Sequence, residues 1–193
     1  MTAEALTSTR ILDAAEEVLR RFGPRKTTVV DVARALGVSH GTVYRHFPTK
    51  AALRDAVASR WLHRVAAPLR EIAEEKGPAE ARLRRWLGTL VAIKRAKVRD
   101  DPEMFAAYSA LAEDAREVVA AHVADLVSQV ERILAEGMHE GVFAPADPAT
   151  AAQSVFAATL RFHHPMHSQE WDDPGIDAQF KAVTELVLRG LSV

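Results

Sequence analysis

The chain has 193 residues, of which 48% are apolar, and its formal net charge is −1. This apolar content excludes a disordered chain and suffices for a sizeable core, so one or two packed domains are expected. The lack of cysteine excludes disulfides and thiolate metal sites and is typical of a reducing compartment, which predicts a cytoplasmic protein. Residues 1–9 lack a basic region followed by an apolar run, so no secretory signal is expected. No stretch approaches the roughly 20 apolar residues that span a bilayer, so no membrane partner is expected.

Charge is distributed unevenly along the chain. Residues 1–60 hold ten Lys and Arg against six Asp and Glu, a balance of +4, whereas residues 61–193 hold fifteen against twenty, a balance of −5. A basic segment joined to an acidic one is typical of a nucleic-acid-binding domain attached to a second domain.

Two short helices separated by a tight turn are predicted over residues 28–47. Thr28 can cap the first helix, and Asp31 stands where it completes a capping box. Gly37 follows the last apolar residue, at the position where a left-handed backbone ends a helix. The apolar residues of this helix recur at helical spacing: Val29, Val32, Ala33 and Leu36.

The second helix of the pair begins after Ser39, a preferred N-cap residue, and carries Val43 and Phe47 on one face. Ala33 is small, as required where two helices cross closely. The pattern is that of a helix-turn-helix, whose second helix enters the DNA major groove. A helical hairpin that only packs is the alternative, and the flanking residues argue against it.

Those flanking residues carry a resemblance to a known family. Ile-Leu-Asp-Ala-Ala-Glu-Glu-Val-Leu-Arg-Arg-Phe-Gly occupies residues 11–23, and Tyr-Arg-His-Phe-Pro-Thr-Lys-Ala-Ala-Leu occupies residues 44–53. Together with the motif between them, they resemble the N-terminal domain of the TetR family of bacterial transcriptional regulators. The resemblance implies three helices that contact DNA and a fourth that links them to a variable ligand-binding and dimerising domain.

Proline and glycine divide the rest of the chain into helices. Four dipeptides predict a cap followed by proline in the first helical turn: Gly77-Pro78, Asp101-Pro102, Asp147-Pro148 and Asp173-Pro174. Apolar residues at helical spacing predict a long linking helix over about residues 50–75 and further helices that include 148–164 and 176–190. No strand or hairpin signal competes with this interpretation.

We therefore predict an all-α fold of about nine helices. Its N-terminal three-helix, helix-turn-helix DNA-binding domain occupies residues 1–49. A long helix joins this domain to a helical effector-binding and dimerisation domain at residues 50–193.

The polar face of the second motif helix supplies the candidate DNA contacts. Arg45 has a guanidinium fork for a base edge or a phosphate, and Thr42 can touch a thymine methyl group or donate to a base. A solvated surface position is the alternative for Arg45, and packing on the core is the alternative for Tyr44. The resemblance adds phosphate contacts by Tyr44, His46 and Lys50. The candidate set is Thr28, Ser39, His40, Gly41, Thr42, Tyr44, Arg45, His46 and Lys50.

One helix-turn-helix contacts a single half-site, so a homodimer on a near-palindromic double-stranded DNA operator is expected. The resemblance places the dimer interface in helices 148–164 and 176–190. It also implies a repressor that an unknown small-molecule effector releases from DNA. An activator of the same fold is the alternative, because the protein sequence does not contain the position of the operator.

Candidate effector-binding residues are mostly aromatic side chains beyond the motif, and ordinary core packing is the alternative for each of them. Arg161 would pair with an anionic effector or with an acidic residue. The candidate set is Trp61, Trp86, Phe105, Tyr108, Phe156, Arg161, Phe162, His163 and His167.

Three of the eight histidines lie between residues 163 and 167. His163 and His167 have the spacing that places two imidazoles on one helix face, but Pro165 between them disfavours a regular helix. Three roles therefore stay open for these two residues and His164: a metal site, a ligand pocket or a structural helix end. A metal-dependent enzyme or sensor is the alternative function, but no phosphate loop, Gly-x-Ser-x-Gly turn or complete zinc motif accompanies the cluster. We expect no enzyme, no cofactor and no metal.

Overall fold

A computed structural model describes residues 6–24 and 26–193. In this part of the chain there are nine α-helices and two short 3₁₀ helices, and the only β-type pairing is one isolated bridge between Phe143 and Ser192. The predicted all-α class is confirmed. The α-helices are α1 Ser8–Phe22, α2 Val29–Leu36, α3 His40–His46, α4 Lys50–Glu74, α5 Ala79–Asp100, α6 Pro102–Asp114, α7 Arg116–His139, α8 Pro148–Ala158 and α9 Ile176–Leu191.

Over the described ranges, none of the helices combines the length and the apolar character that crossing a bilayer requires.

The described chain packs as two compact units. The first unit consists of residues 6–62 and 101–120, and the second consists of residues 63–100 and 121–193. Helix α6, which the sequence prediction assigned to the second domain, thus belongs by packing to the first unit. A functional division at residues 49 and 50 stays a prediction.

The first unit is built on helix α1, whose buried face includes Ile11 and Ala15. Arg60 of α4 donates to this helix through an Nη1–Oδ1 contact of 2.7 Å with Asp13. Asp101 caps α6 by accepting from the backbone N–H of Met104, and its carboxylate also pairs with Arg20 of α1 at 3.0 Å. Charged groups therefore fix both α4 and α6 to α1.

The second unit has its core between α5 and α7, with α8 and α9 packed against it. Arg82 of α5, only 3% exposed, donates to the carbonyls of Ala73 and Glu75 at the end of α4 and pairs with Glu136 of α7 at 2.6 Å. Because the last carbonyls of a helix have no partner inside the helix, this buried arginine satisfies two acceptors at the end of α4.

Helix ends that depend on a local cap were predicted well. Asp101 and Asp147 cap α6 and α8, each with proline in the first turn, and α4 covers the predicted linking helix. The Asp173-Pro174 prediction is wrong, because α9 begins after Gly175, whose φ of +89° places it in the left-handed region. The Gly77-Pro78 prediction is wrong by one residue, because α5 begins at Ala79, after the proline.

The predicted helix over residues 148–164 is also wrong in its second half. Helix α8 ends at Ala158 and gives way to 3₁₀ helices at Leu160–Phe162 and Pro165–Glu170. The buried hydroxyl of Thr159 donates to the carbonyl of Val155, and Pro165 has no N–H to continue an α-helical ladder.

Candidate functional site

Helix α2 is fixed at its start by a complete capping box. The Thr28 hydroxyl accepts from the N–H of Asp31, and the Asp31 carboxylate accepts from the N–H of Thr28 at 3.1 Å. The Thr28 hydroxyl also donates to this carboxylate at 2.6 Å, and this hydrogen bond is the main cause of the lowered pKa of Asp31. Both donors that would reach a phosphate from Thr28 are thus already engaged, so a DNA contact by Thr28 would have to share them.

The turn between α2 and α3 has the predicted geometry. Gly37 lies in the left-handed region with φ +67° and ψ +29°, where a side chain would be strained. Ser39 then caps α3 by accepting from the N–H of Thr42. Ala33 and Val43 are buried, so the small residue and the apolar residue fix the two helices against one core.

The opposite face of α3 is open. Ser39, His40, Gly41, Tyr44, Arg45, His46 and the following Lys50 are exposed, and Thr42 is half-buried. Tyr44 is 40% exposed and contacts the ring edge of His40 at a centroid distance of 6.3 Å, so it does not pack in the core. Within the described residues, neither Arg45 nor Lys50 has a hydrogen bond or an ion pair.

His46 is held by a contact that the sequence did not reveal. Its Nδ1 lies 3.2 Å from the hydroxyl of Ser8, the first residue of α1. The two residues are 38 positions apart, so no local pattern signals the pair. The contact orients His46 at the end of α3, and Ser8 joins the residues that border the open face.

The nine candidate effector residues divide between the two units. Trp61, Phe105 and Tyr108 belong to the first unit, where the rings of Trp61 and Tyr108 stack at 4.5 Å. The other six candidates belong to the second unit: Trp86, Phe156, Arg161, Phe162, His163 and His167.

The aromatic candidates of the second unit are packed. Trp86 is fully buried and donates through Nε1 to Oε1 of Gln129 at 3.0 Å. Phe162 is 3% exposed and meets the ring of Phe180 at 5.2 Å. These contacts are those of ordinary core packing, which was the alternative to ligand binding for these residues. They do not test a ligand role.

The three clustered histidines pack, cap or pair within the second unit. His163 is 3% exposed and lies with its ring 4.7 Å from that of Phe156. His164 accepts from the N–H of Met166 and so caps the second 3₁₀ helix, while His167 Nδ1 lies 2.7 Å from Oε1 of Glu170.

Arg161 also finds its partner within the chain. Its Nε donates to Glu170 at 2.6 Å, and its Nη1 donates to Gln179 at 2.7 Å. Across the residues that the structure describes, no group of three or more His, Asp or Glu is placed to hold a metal ion. These contacts favour the structural helix-end role among the three that the sequence left open.

Burial lowers the pKa of three basic groups of the second unit, His122, His163 and Lys94. Burial, and next the nearby Lys94 ammonium, lower the pKa of His163 to about 3 and that of His122 to about 4. Burial lowers the pKa of Lys94 itself to about 8, with a smaller contribution from Lys97. Both imidazoles are therefore neutral at pH 7.

A cavity of about 460 Å³ lies in the first unit, and none of the nine candidate effector residues lines it. Thr28 and Lys50, both candidate DNA contacts, do line it, together with Arg54 and with Glu113 and Asp114 from the end of α6. Its walls come from segments far apart in sequence, so helical periodicity gives no signal for it.

A capped helix pair with one buried and one open face, carried on a helical chain, defines a helix-turn-helix protein. Residues 11–57 match the model for bacterial regulatory proteins of the tetR family, and residues 79–184 match the tetracyclin repressor-like C-terminal domain. The chain therefore belongs to the TetR family, as its N-terminal motifs indicated.

Relatives agree with this assignment. An uncharacterised helix-turn-helix-type transcriptional regulator of Mycobacterium tuberculosis is 35% identical over 102 residues, which are 52% of this chain and 48% of that relative. The helix-turn-helix-type transcriptional repressor KstR2 of Rhodococcus jostii is 36% identical over 64 residues, which are 33% of this chain and 31% of that relative. The chain thus matches about half the length of the first relative and a third of the second.

A solved structure extends the likeness to nearly the whole chain. The transcriptional regulator FadR from Bacillus subtilis, in complex with stearoyl-CoA, has a TM-score of 0.67 and 19% identity. The superposition covers 96% of this chain and 100% of that chain. At this identity the likeness concerns the fold.

Proposed function

We propose that this protein is a homodimeric, DNA-binding transcriptional repressor that a small-molecule effector releases from a near-palindromic operator. The observation that carries the proposal is the open face of α3, on which Arg45 is exposed and has no partner among the described residues. A surface arginine on the second helix of this motif is placed to reach a base edge, since that helix enters the major groove.

The contacts divide by chemistry. Arg45 and Thr42 read base edges, and Gly41 lets the backbone of α3 approach the groove. Ser39, His40, Tyr44, His46 and Lys50 contact the sugar-phosphate backbone and set the register of α3, with Thr28 sharing its donors as described above.

The exposed face of α9 supports the dimer. Small and apolar residues recur there every four positions, and all are exposed: Ala178, Ala182, Leu186 and Gly190. Leu186 is 64% exposed, which is unusual for a large apolar side chain. Together with α8, this face would pack against its symmetry mate, since a two-fold interface pairs one patch with itself.

Release by an effector requires that effector binding and DNA binding be coupled. The effector must prefer one arrangement of the two DNA-binding motifs in the dimer over the other. KstR2 is a repressor by name, and FadR holds stearoyl-CoA, so relatives with this fold support both a repressor role and a bound organic molecule.

The test is an in-vitro selection of binding sites from random duplex DNA with the purified protein. We expect enrichment of a near-palindrome whose half-sites lie about one helical turn, or a multiple of it, apart. A folded protein that enriches no sequence at low salt would overturn the DNA-binding proposal. Enrichment of isolated half-sites would overturn the dimer.

A further inference from the structure

The 460 Å³ cavity of the first unit has a size typical of small-molecule sites, which range from about 300 to 1,000 Å³. Its described lining residues come from α1, the start of α2, the first two turns of α4 and the end of α6, together with Pro24, Thr27 and Thr28 between α1 and α2. Neither the proposed DNA contacts nor the proposed dimer explains why this space is left open.

The walls of the cavity are apolar. Leu19 of α1, Val29 of α2, Leu53 and Val57 of α4 and Leu111 of α6 line it, and each of these side chains is less than 9% exposed. A flat apolar group such as an aromatic ring would therefore find contacts on several sides.

Four of the described residues that line the cavity are charged, and two of them lie close to each other. Arg54 lies 3.8 Å from Asp114 and 2.9 Å from Asp55, so its charge is balanced within the unit. Lys50 of α4 and Glu113 of α6 have no ion pair or hydrogen bond with any described residue. Among the described lining residues, one ammonium and one carboxylate are thus left without a partner.

We propose that this cavity binds a zwitterionic small molecule of the α-amino-acid type with a large apolar side chain. The ligand carboxylate pairs with Lys50, the ligand ammonium pairs with Glu113, and the apolar side chain lies on the walls. A ligand with one charge would leave one of these two rim groups without a partner.

The site would act on DNA binding through Lys50. This residue is also a proposed phosphate contact, so a bound carboxylate and the operator would compete for the same ammonium. That consequence rests on the proposed function, whereas binding to the cavity does not.

Three probes with the same indole ring separate the charges: L-tryptophan carries both, indole-3-propionate only the carboxylate and tryptamine only the ammonium. Isothermal titration calorimetry on the full chain without DNA measures each affinity. We expect L-tryptophan to bind about threefold or more tightly than either single-charge probe, the scale of an exposed ion pair. Lys50→Met should lower the affinity for tryptophan and indole-3-propionate but not for tryptamine. Glu113→Gln should lower the affinity for tryptophan and tryptamine but not for indole-3-propionate.

A matched pair of variants locates the site. Ala110 lies on α6 and lines the cavity, whereas Ala106 lies one turn earlier on the same helix, is also exposed and does not line it. Ala110→Phe should abolish tryptophan binding, and Ala106→Phe should leave it unchanged, with equal helical circular dichroism in both.

Three results would overturn the assignment: no saturable binding of any probe, equal affinity for all three, or tryptophan binding that survives Ala110→Phe. A separate measurement follows operator binding by fluorescence anisotropy. Tryptophan should weaken operator binding by the wild type and not by Ala110→Phe. Tryptophan that binds in the cavity without this effect would overturn the competition for Lys50 and leave the cavity assignment standing.

Discussion

Two seven-residue segments of this chain have similar compositions and opposite uses. Helix α3, His40–His46, contains two histidines and an arginine, and residues 161–167 contain three histidines and an arginine. In α3 the arginine has no partner within the described residues and most polar side chains are exposed. In the second segment Arg161 is paired twice and His163 is buried.

The difference lies in the backbone. A regular α-helix anchored by Val43 has one buried and one open side, so its remaining polar residues must face outward. The segment after α8 is broken by Thr159 and Pro165, and its polar groups serve as caps and internal partners. The composition of these two segments therefore does not show by itself whether their polar side chains face solvent or partners within the chain.

The largest effect should come from Arg45→Ala. Loss of the guanidinium from the open face should lower specific operator affinity by about 10- to 100-fold while the helical circular dichroism stays intact. Arg99→Ala is the matched control, because Arg99 is a 77% exposed arginine of the second unit. Unchanged operator affinity in Arg45→Ala would remove Arg45 from the contacts and make the two segments functionally alike.

Next in size is a stability effect confined to the second unit. A Cβ on Gly137 would lie 2.8 Å from the Cβ of Ala79 and overlap the ring of Phe143. Gly137→Ala should therefore lower the free energy of unfolding by about 1–3 kcal/mol, measured by urea denaturation. Gly88→Ala, where nothing lies within 4 Å, should stabilise α5 by up to about 1 kcal/mol. Similar values for the two variants would mean that the Gly137 contact relaxes freely.

The buried His163 predicts a pH dependence of the stability of the second unit. With a folded-state pKa of about 3 and an unfolded value of about 6.5, His163 is protonated first in the unfolded chain as the pH falls. Its stabilisation is complete above pH 6.5 and is lost at about 1.4 kcal/mol per pH unit toward pH 3.

Urea denaturation between pH 7 and pH 4.5 measures this slope. His163→Gln should reduce the slope, and His139→Gln, at an exposed histidine, is the control variant. Parallel curves for wild type and His163→Gln would show that His163 titrates normally in the folded state.

The smallest effect should come from Lys50→Ala. Loss of one phosphate contact should weaken binding to all duplex DNA about equally and reduce the slope of log affinity against log salt by about one. Lys76→Ala, an exposed lysine of the second unit, is the control. A loss confined to one base position would assign Lys50 to base recognition.

What the sequence could predict is what local chemistry decides. The capping box of Thr28 and Asp31, the left-handed Gly37 and the cap at Asp147 each involve residues within four positions of one another. The contact of Ser8 with His46 and the juxtaposition of α6 with α1 depend on tertiary packing, for which one sequence has no spacing rule. The burial of Lys94 could not be predicted either. A lysine in a helix is expected to be exposed, and only the fold shows that this one is 95% buried.

The discontinuity of the first unit has a consequence for the order of folding during synthesis. Residues 101–120 are part of this unit, although residues 63–100 belong to the other one. The ribosome must therefore synthesise residues 63–100, which include α5 of the second unit, before α6 can join α1 through the Asp101–Arg20 ion pair. Domains commonly fold from the N-terminus as they emerge, but here the N-terminal unit is completed late. A chimaera that exchanges only the first 62 residues would accordingly transplant a unit without one of its own helices.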